Sequence, residues 1–388
     1  MRSGWIWLMP ALLASASGAQ TGTGMTHEGK YWVVTSSGTA GVEGCDRLQV
    51  TTRGAVTVEG ESRKDIQYTL KGRTRVQDAA KARTLLGMIQ VKTAWRGETM
   101  TLEVTLPPTW AVSADLKLRV PRDLRQTFLA SQGEMIEALD LDGALGADSG
   151  GGRLHVDRIG GDVTLKTDGG QIRLGSVGGN VVCFSGGGPI IADTIGGKAG
   201  LDTEGGEIIV KVAKGLVRAS TGGGNIRIDR AERGVTATAR AGLIDIIHAG
   251  GPVIARTGTG AIKIRSASDV QCQAGTGAIQ LQAVYGGVRA ATLSGSILAE
   301  FGPKPLRDSV LSTGAGDITV YLPSNVAVTV EATSADPGGS RIVSDFAEIR
   351  PRPGRYNARY EAQGAINGGG PLLRLAASGG RVYLRRQK

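Results

Sequence analysis

Three consecutive phrases decide the fold of this chain: Gly151-Gly152-Arg153-Leu154-His155-Val156-Asp157-Arg158-Ile159, Gly160-Gly161-Asp162-Val163-Thr164-Leu165-Lys166-Thr167-Asp168, and Gly169-Gly170-Gln171-Ile172-Arg173-Leu174. Each opens on a pair of glycines and continues with apolar residues at alternate positions, as a strand with one buried face requires. Two phrases make one coil. Equivalent residues therefore recur every 18 positions, at Ile136, Leu154, Ile172, Ile190, Ile208, Ile226, Ile244 and Ile262, and after one short coil at Ile279 and Ile297. A fixed period of this length is the signature of a solenoid.

Inward columns follow from the alternation. The first strand of a coil buries Leu154 and Val156, then Ile172 and Leu174, Ile208 and Val210, Ile226 and Ile228. The second buries Val163 and Leu165, then Val181 and Cys183, Ala199 and Leu201. Residues between them face solvent, so Ile226 belongs to the core and Arg227 to the surface. Just before the glycine corner runs a hydroxyl column, Ser149, Thr167, Ser185, Thr203, Thr221 and, after Ala239, Thr257. Hydroxyls stacked there can bond to turn amides or along the stack, a structural role. Inward residues recur at offsets that do not fit a hexapeptide helix, and parallel crossovers are overwhelmingly right-handed. The expected fold class is all-β: a single-stranded parallel β-solenoid, a right-handed β-helix of about 18 residues per coil, with β-rich caps at both ends.

The division along the chain is a signal peptide at 1–19, an N-terminal β-rich cap with one short helix at 20–125, solenoid repeats at 126–310 and a C-terminal β cap at 311–388. Arg2, the apolar run Trp5 to Leu13 and the small residues Ser17-Gly18-Ala19 read as a secretory leader cleaved after Ala19. In the N-terminal cap, Leu48 to Val58 reads as one strand. Thr74-x-x-Gln77 reads as a capping box, with Asp78 in the first turn of a helix ending at Leu86. The caps would cover strand edges that otherwise invite association.

The chemistry considered is mostly excluded. Calcium-binding β-rolls carry an aspartate where this repeat places Val156 or Leu174. Asp193, Asp202, Glu204 and Glu207 form the densest acidic group, and carboxylates on adjacent coils could act as acid and base on a sugar, but no pocket signal accompanies them. His27, His155 and His248 are too scattered for one metal site. Cys183 and Cys272 fall in core columns five coils apart, roughly 24 Å at about 4.8 Å per coil, too far to pair. A net charge of +10 over 388 residues concentrates at Arg350, Arg352, Arg355, Arg359, Arg381, Arg385, Arg386 and Lys388. This tract reads as a solubilising surface, with contact to anionic envelope material such as lipid head groups or acidic glycans as the alternative, and export argues against nucleic acid. The outward pair Ile191 and Ile209 is either an apolar strip for a protein partner or, the preferred reading, ground covered by the N-terminal segment. No catalytic, cofactor-binding or metal-binding residue is assigned, and no cofactor is expected.

The repeat, the Asp78-to-Leu86 helix before it, and the run from Gly316-Asp317-Ile318 through Ser344-Asp345-Phe346 to Gly368-Gly369-Gly370-Pro371 together resemble the bacterial putative adhesin family, a glycine-cornered β-solenoid domain of unknown function. The resemblance implies an extracytoplasmic protein, in the periplasm, at the cell surface or secreted. The expected function is a non-enzymatic, adhesin-like scaffold that meets a protein or glycan component of the envelope. The alternative is a polysaccharide-binding or polysaccharide-active β-helix.

Overall fold

The computed structural model describes residues 21–22, 24–42, 44–303, 306–335, 341–354 and 359–387. The leader expected at 1–19, Arg355 and Lys388 lie outside them. The fold is a parallel β-solenoid of about 18 residues per turn. The chain divides into two compact units, Met1–His155 and Val156–Lys388. Each coil gives one strand to each of two sheets, here termed A and B.

In the second unit the predicted columns stand in register. On sheet A, Ile190 pairs with Ile208, Ile208 with Ile226, Ile226 with Ile244 and Ile244 with Ile262, all fully buried. Ile262 then pairs with Ile279, so the coil of 17 residues keeps the column. Its strand Ile262–Ile264 is cut to three residues, and the missing residue is absorbed outside the ladder. On sheet B, Leu165, Cys183 and Leu201 are stacked neighbours. Cys183 and Cys272 are free and buried, and burial pushes both thiols well above their ordinary range.

The corners explain the glycines and the hydroxyls together. A Cβ on Gly206 would lie 2.3 Å from the Gly188 carbonyl oxygen, and one on Gly224 would lie 2.1 Å from that of Gly206. No other residue fits where coils approach so closely. The hydroxyl column ties these corners together: Thr203 Oγ1 donates to the Gly188 carbonyl at 3.0 Å and accepts from the Gly206 amide at 3.1 Å. Thr221 repeats both bonds one coil on, with Gly206 and Gly224.

The first unit departs from simple succession. Strands Arg47–Thr52 and Val56–Glu61 form a coil. That coil lies parallel to Gln126–Ser131 and Ile136–Leu141 on one side, and to Thr99–Thr105 and Val112–Pro121 on the other. Antiparallel strands close this end: Asp65–Thr74 pairs with Val112–Pro121, Tyr31–Gly41 with Asp65–Thr74, and Gln90–Arg96 with Thr99–Thr105. The single strand expected over Leu48 to Val58 is therefore two. The chain turns at Arg53-Gly54, where the Gly54 amide donates to Thr52 Oγ1 at 3.0 Å and a Cβ on Gly54 would strike the Ala114 carbonyl. The helix Ala79–Gly87 is capped by Asp78, whose carboxylate accepts from the Lys81 amide. Thr74 is not the cap: it ends a strand, and its hydroxyl accepts from the Val76 amide.

The far end of the second unit repeats the interposition. The last coil, Leu372–Ala377 with Val382–Arg386, sits between the coil of Ser309–Ala315 and Ile318–Leu322 and that of Val328–Ala335 and Ile342–Ser344. Arg359–Ile366 then lies antiparallel along Val328–Ala335. No described helix is long and apolar enough to cross a membrane.

Candidate functional site: a glycine-floored groove on sheet B

Outward positions on sheet B of the second unit form two columns beside the hydroxyl ladder. One runs Asp202, Ser220, Thr238, Arg256 and Gln273, paired neighbour to neighbour. The other begins at Glu204 and, coil by coil, reads Gly222, Arg240, Gly258, Gly275 and Leu293. These residues line a groove of about 940 Å³ along six consecutive strands. At about 4.8 Å per strand its span is roughly 24 Å.

Glycine makes the floor because it must. A Cβ on Gly222 would lie 2.1 Å from the Glu204 carbonyl oxygen, and one on Gly275 would lie 2.3 Å from that of Gly258. Side chains in this column therefore stand apart as three posts, Glu204, Arg240 and Leu293. Leu293 is 76% exposed, an unusual position for a leucine. Asp202, Glu204, Arg240 and Arg256 form no ion pair or side-chain hydrogen bond among the described residues. Glu204 and Arg240 are two strands apart, roughly 10 Å, with glycine between them, and their side chains do not meet.

Sheet A of the same unit is different. Asp193 holds Lys211 at 2.8 Å and Arg173 at 3.8 Å, Arg227 holds Asp229 at 2.9 Å, and Asp245 holds Arg265 at 3.7 Å. Ile191 and Ile209 are half-buried neighbours on this sheet, flanked by Arg173 and Arg227.

The acidic group singled out in the sequence is divided between the sheets. Asp193 belongs to sheet A and Asp202 to sheet B. Asp202 stacks between Phe184 and Ser220 in its own column, and Glu204, two residues on along the same outward face, is the one member of the acidic group that shares the groove with it. Of the histidines, His155 Nδ1 lies 2.9 Å from Glu137 Oε1, and His27 packs edge-on against Trp32. No group of three metal-ligating side chains occurs among the described residues. In the basic tract, Arg385 pairs with Asp345 at 2.8 Å and Arg386 lies over the Phe346 ring at 4.8 Å. The first unit holds a separate hollow of about 550 Å³ edged by the fully exposed Trp110, but there Arg73 pairs with Asp115 and Arg53 donates to the Pro107 carbonyl.

Sequence reasoning did not single out Arg240, Arg256 or Leu293. The signal was present. Reading outward residues at the same 18-residue step that defined the core places all three on one face.

No family model and no curated protein matches this chain. Among solved structures it is similar to a putative cell adhesion protein from Clostridium sporogenes, at 9% identity over 91% of this chain and 99% of that one, with a TM-score of 0.18. It is also similar to a putative adhesin from Parabacteroides distasonis, at 10% identity over 72% of this chain and 94% of that one, with a TM-score of 0.28. A putative adhesin from Bacteroides fragilis matches at 12% identity over 91% of this chain and 97% of that one, with a TM-score of 0.18.

Proposed function

We propose that this chain is an exported, non-enzymatic interaction scaffold of the bacterial envelope or cell surface, and that the sheet B groove meets its partner. The observation that carries this reading is the contrast between sheets. On sheet A a run of neighbouring charges pairs, Asp193 with Lys211 and Arg227 with Asp229, although Arg230 and Lys263 do not. On sheet B the groove presents unpaired carboxylates and guanidiniums to whatever enters it, each free to form charge-assisted bonds. The leader sequence 1–19 supplies export, and the chain ends, 20–125 and 311–388, serve as caps on a stack that would otherwise expose strand edges. Asp202 and Glu204 both line the groove, but its lining offers no aromatic ring for sugar stacking, which disfavours the polysaccharide alternative.

The test places a photo-crosslinking amino acid at Thr238 in the groove, or at Gln280 on sheet A, in cells that export the full chain. The expected result is a discrete crosslinked envelope product from position 238 and none from position 280, with the mature N-terminus at Gln20. Equal crosslinking from both positions, or none from position 238, would overturn the assignment of the groove. An uncleaved Met1 would overturn export.

A further inference from the structure

We infer that the groove accepts an extended protein segment whose side chains follow a fixed order: basic, then acidic, then apolar. This rests on the assignment of the groove as the interaction surface and adds the class of its occupant. The three posts set the order. Asp202 and Glu204 stand at one end, Arg240 and Arg256 in the middle, and exposed Leu293 at the other end. Glu204 to Arg240 is two strands, roughly 10 Å, and Arg240 to Leu293 is three strands, roughly 14 Å. An extended chain advances about 3.3 Å per residue, so these gaps match about three and four residues.

A polyanion such as a uronate polymer is the poorer fit. To follow the groove over its length it must pass the two unpaired carboxylates that stand about 10 Å from the arginines, and like charge there opposes it. A chain carrying one cation, one anion and one apolar side chain meets every post with its complement. Arg240 and Arg256 are on adjacent strands and can share one carboxylate. The groove of about 940 Å³ over Gly222, Gly258 and Gly275 gives a backbone space to lie between the posts.

The experiment uses the mature full chain and labelled eight-residue peptides in fluorescence anisotropy. The ordered probe is Lys-Ser-Ser-Glu-Ser-Gly-Ser-Leu, used in both chain directions, and its control exchanges Lys and Glu. Labelled polygalacturonate is the third probe. An ordered probe should bind at least about tenfold more tightly than its exchanged control. The double variant Arg240→Glu with Arg256→Glu should abolish that binding while circular dichroism stays unchanged. Adding Asp202→Lys and Glu204→Lys should transfer the preference to the exchanged control. Equal binding of ordered and exchanged peptides overturns the inference, as does binding of no peptide. Polygalacturonate binding that is lost in the double variant overturns the peptide class but leaves the groove as the interaction surface. That surface itself stands or falls on the crosslinking contrast between positions 238 and 280.

Discussion

Sheets A and B of the second unit are built from the same coils and with the same spacing, yet the outward charges around Asp193 on sheet A are paired while those of the sheet B groove are not. On sheet A an acid and a base fall on adjacent strands or two residues apart in one strand, as in Asp193 with Lys211 and Arg227 with Asp229. In the sheet B groove the opposite charges Glu204 and Arg240 fall two strands apart with glycine between and do not pair, whereas farther along the same sheet Glu331 and Arg374 are adjacent and pair at 2.9 Å. The backbone permits both. Side-chain direction as well as separation decides whether a charge is satisfied within the surface, since Arg307 and Asp269 pair across Gly287 at 3.5 Å. Exposed ion pairs contribute only about 0–1 kcal/mol each, so the difference between the sheets bears on recognition far more than on stability.

The comparison fails first if the strand register fails. Ile226→Asp should destabilise the protein by at least about 4 kcal/mol, because a carboxylate would enter an apolar stack without a partner. Arg227→Ala, one residue away on sheet A, should cost about 0.5 kcal/mol or less despite its pair with Asp229. Denaturant unfolding measures both, and similar losses at the two positions would mean that inside and outside have been exchanged. A smaller effect sharpens the shared framework beneath both sheets. Thr221→Val removes the bond to the Gly206 carbonyl and the acceptor of the Gly224 amide. A loss of about 1–3 kcal/mol is expected. No loss would show that the corner is held by its backbone alone.

The groove charges should be nearly silent in stability. Arg240→Ala with Arg256→Ala should shift unfolding by less than about 0.5 kcal/mol, as surface changes without partners do. A marked loss would reveal partners for these arginines and remove the contrast between the sheets. The least effect concerns the paired C-terminal charges. The backbone amide of Arg386, followed by the Arg385 guanidinium, holds the Asp345 carboxyl below its usual range. A depressed folded-state value means that this contribution is fully present above the ordinary aspartate pKa of about 3.9 and fades as pH falls through the lower folded value. Asp345→Asn should therefore destabilise slightly at pH 7 and make no difference at the acid end, read from unfolding midpoints across that range. A difference that grows on acidification would reverse the sign and refute the assignment.

Much of this was legible in the residues themselves. The isoleucine column, the hydroxyl column and the corner glycines are each written at an 18-residue step, and each is met in the structure where the step puts it. Where local pattern was the only guide it misled. Leu48 to Val58 alternates like one strand, but Gly54 turns the chain because the Ala114 carbonyl approaches from a strand some 60 residues later. Thr74 and Gln77 fit a capping box, but Thr74 is committed to a strand, and Asp78 takes the cap. The groove was half legible. Its acids were noticed as a cluster, whereas its arginines and Leu293 emerge only when the surface is read column by column.

Within the 18-residue repeat, the sequence by itself determined the period, the register of the strands, the identity of the corners and which face of each strand is buried. All of these follow from short-range alternation and from a repeat that copies one solution along the chain. Only the tertiary structure decided that the coil at 47–61 lies between those at 99–121 and 126–141, and that the coil at 372–386 lies between those at 309–322 and 328–344. It also decided which charges find partners, Asp193 with Lys211 but not Glu204 with Arg240. The physical reason is the same in each case. Strand order at the ends and the reach of an ion pair depend on distances between segments that are remote in the chain, and a periodic pattern carries no record of those distances once the repeat stops or skips a coil.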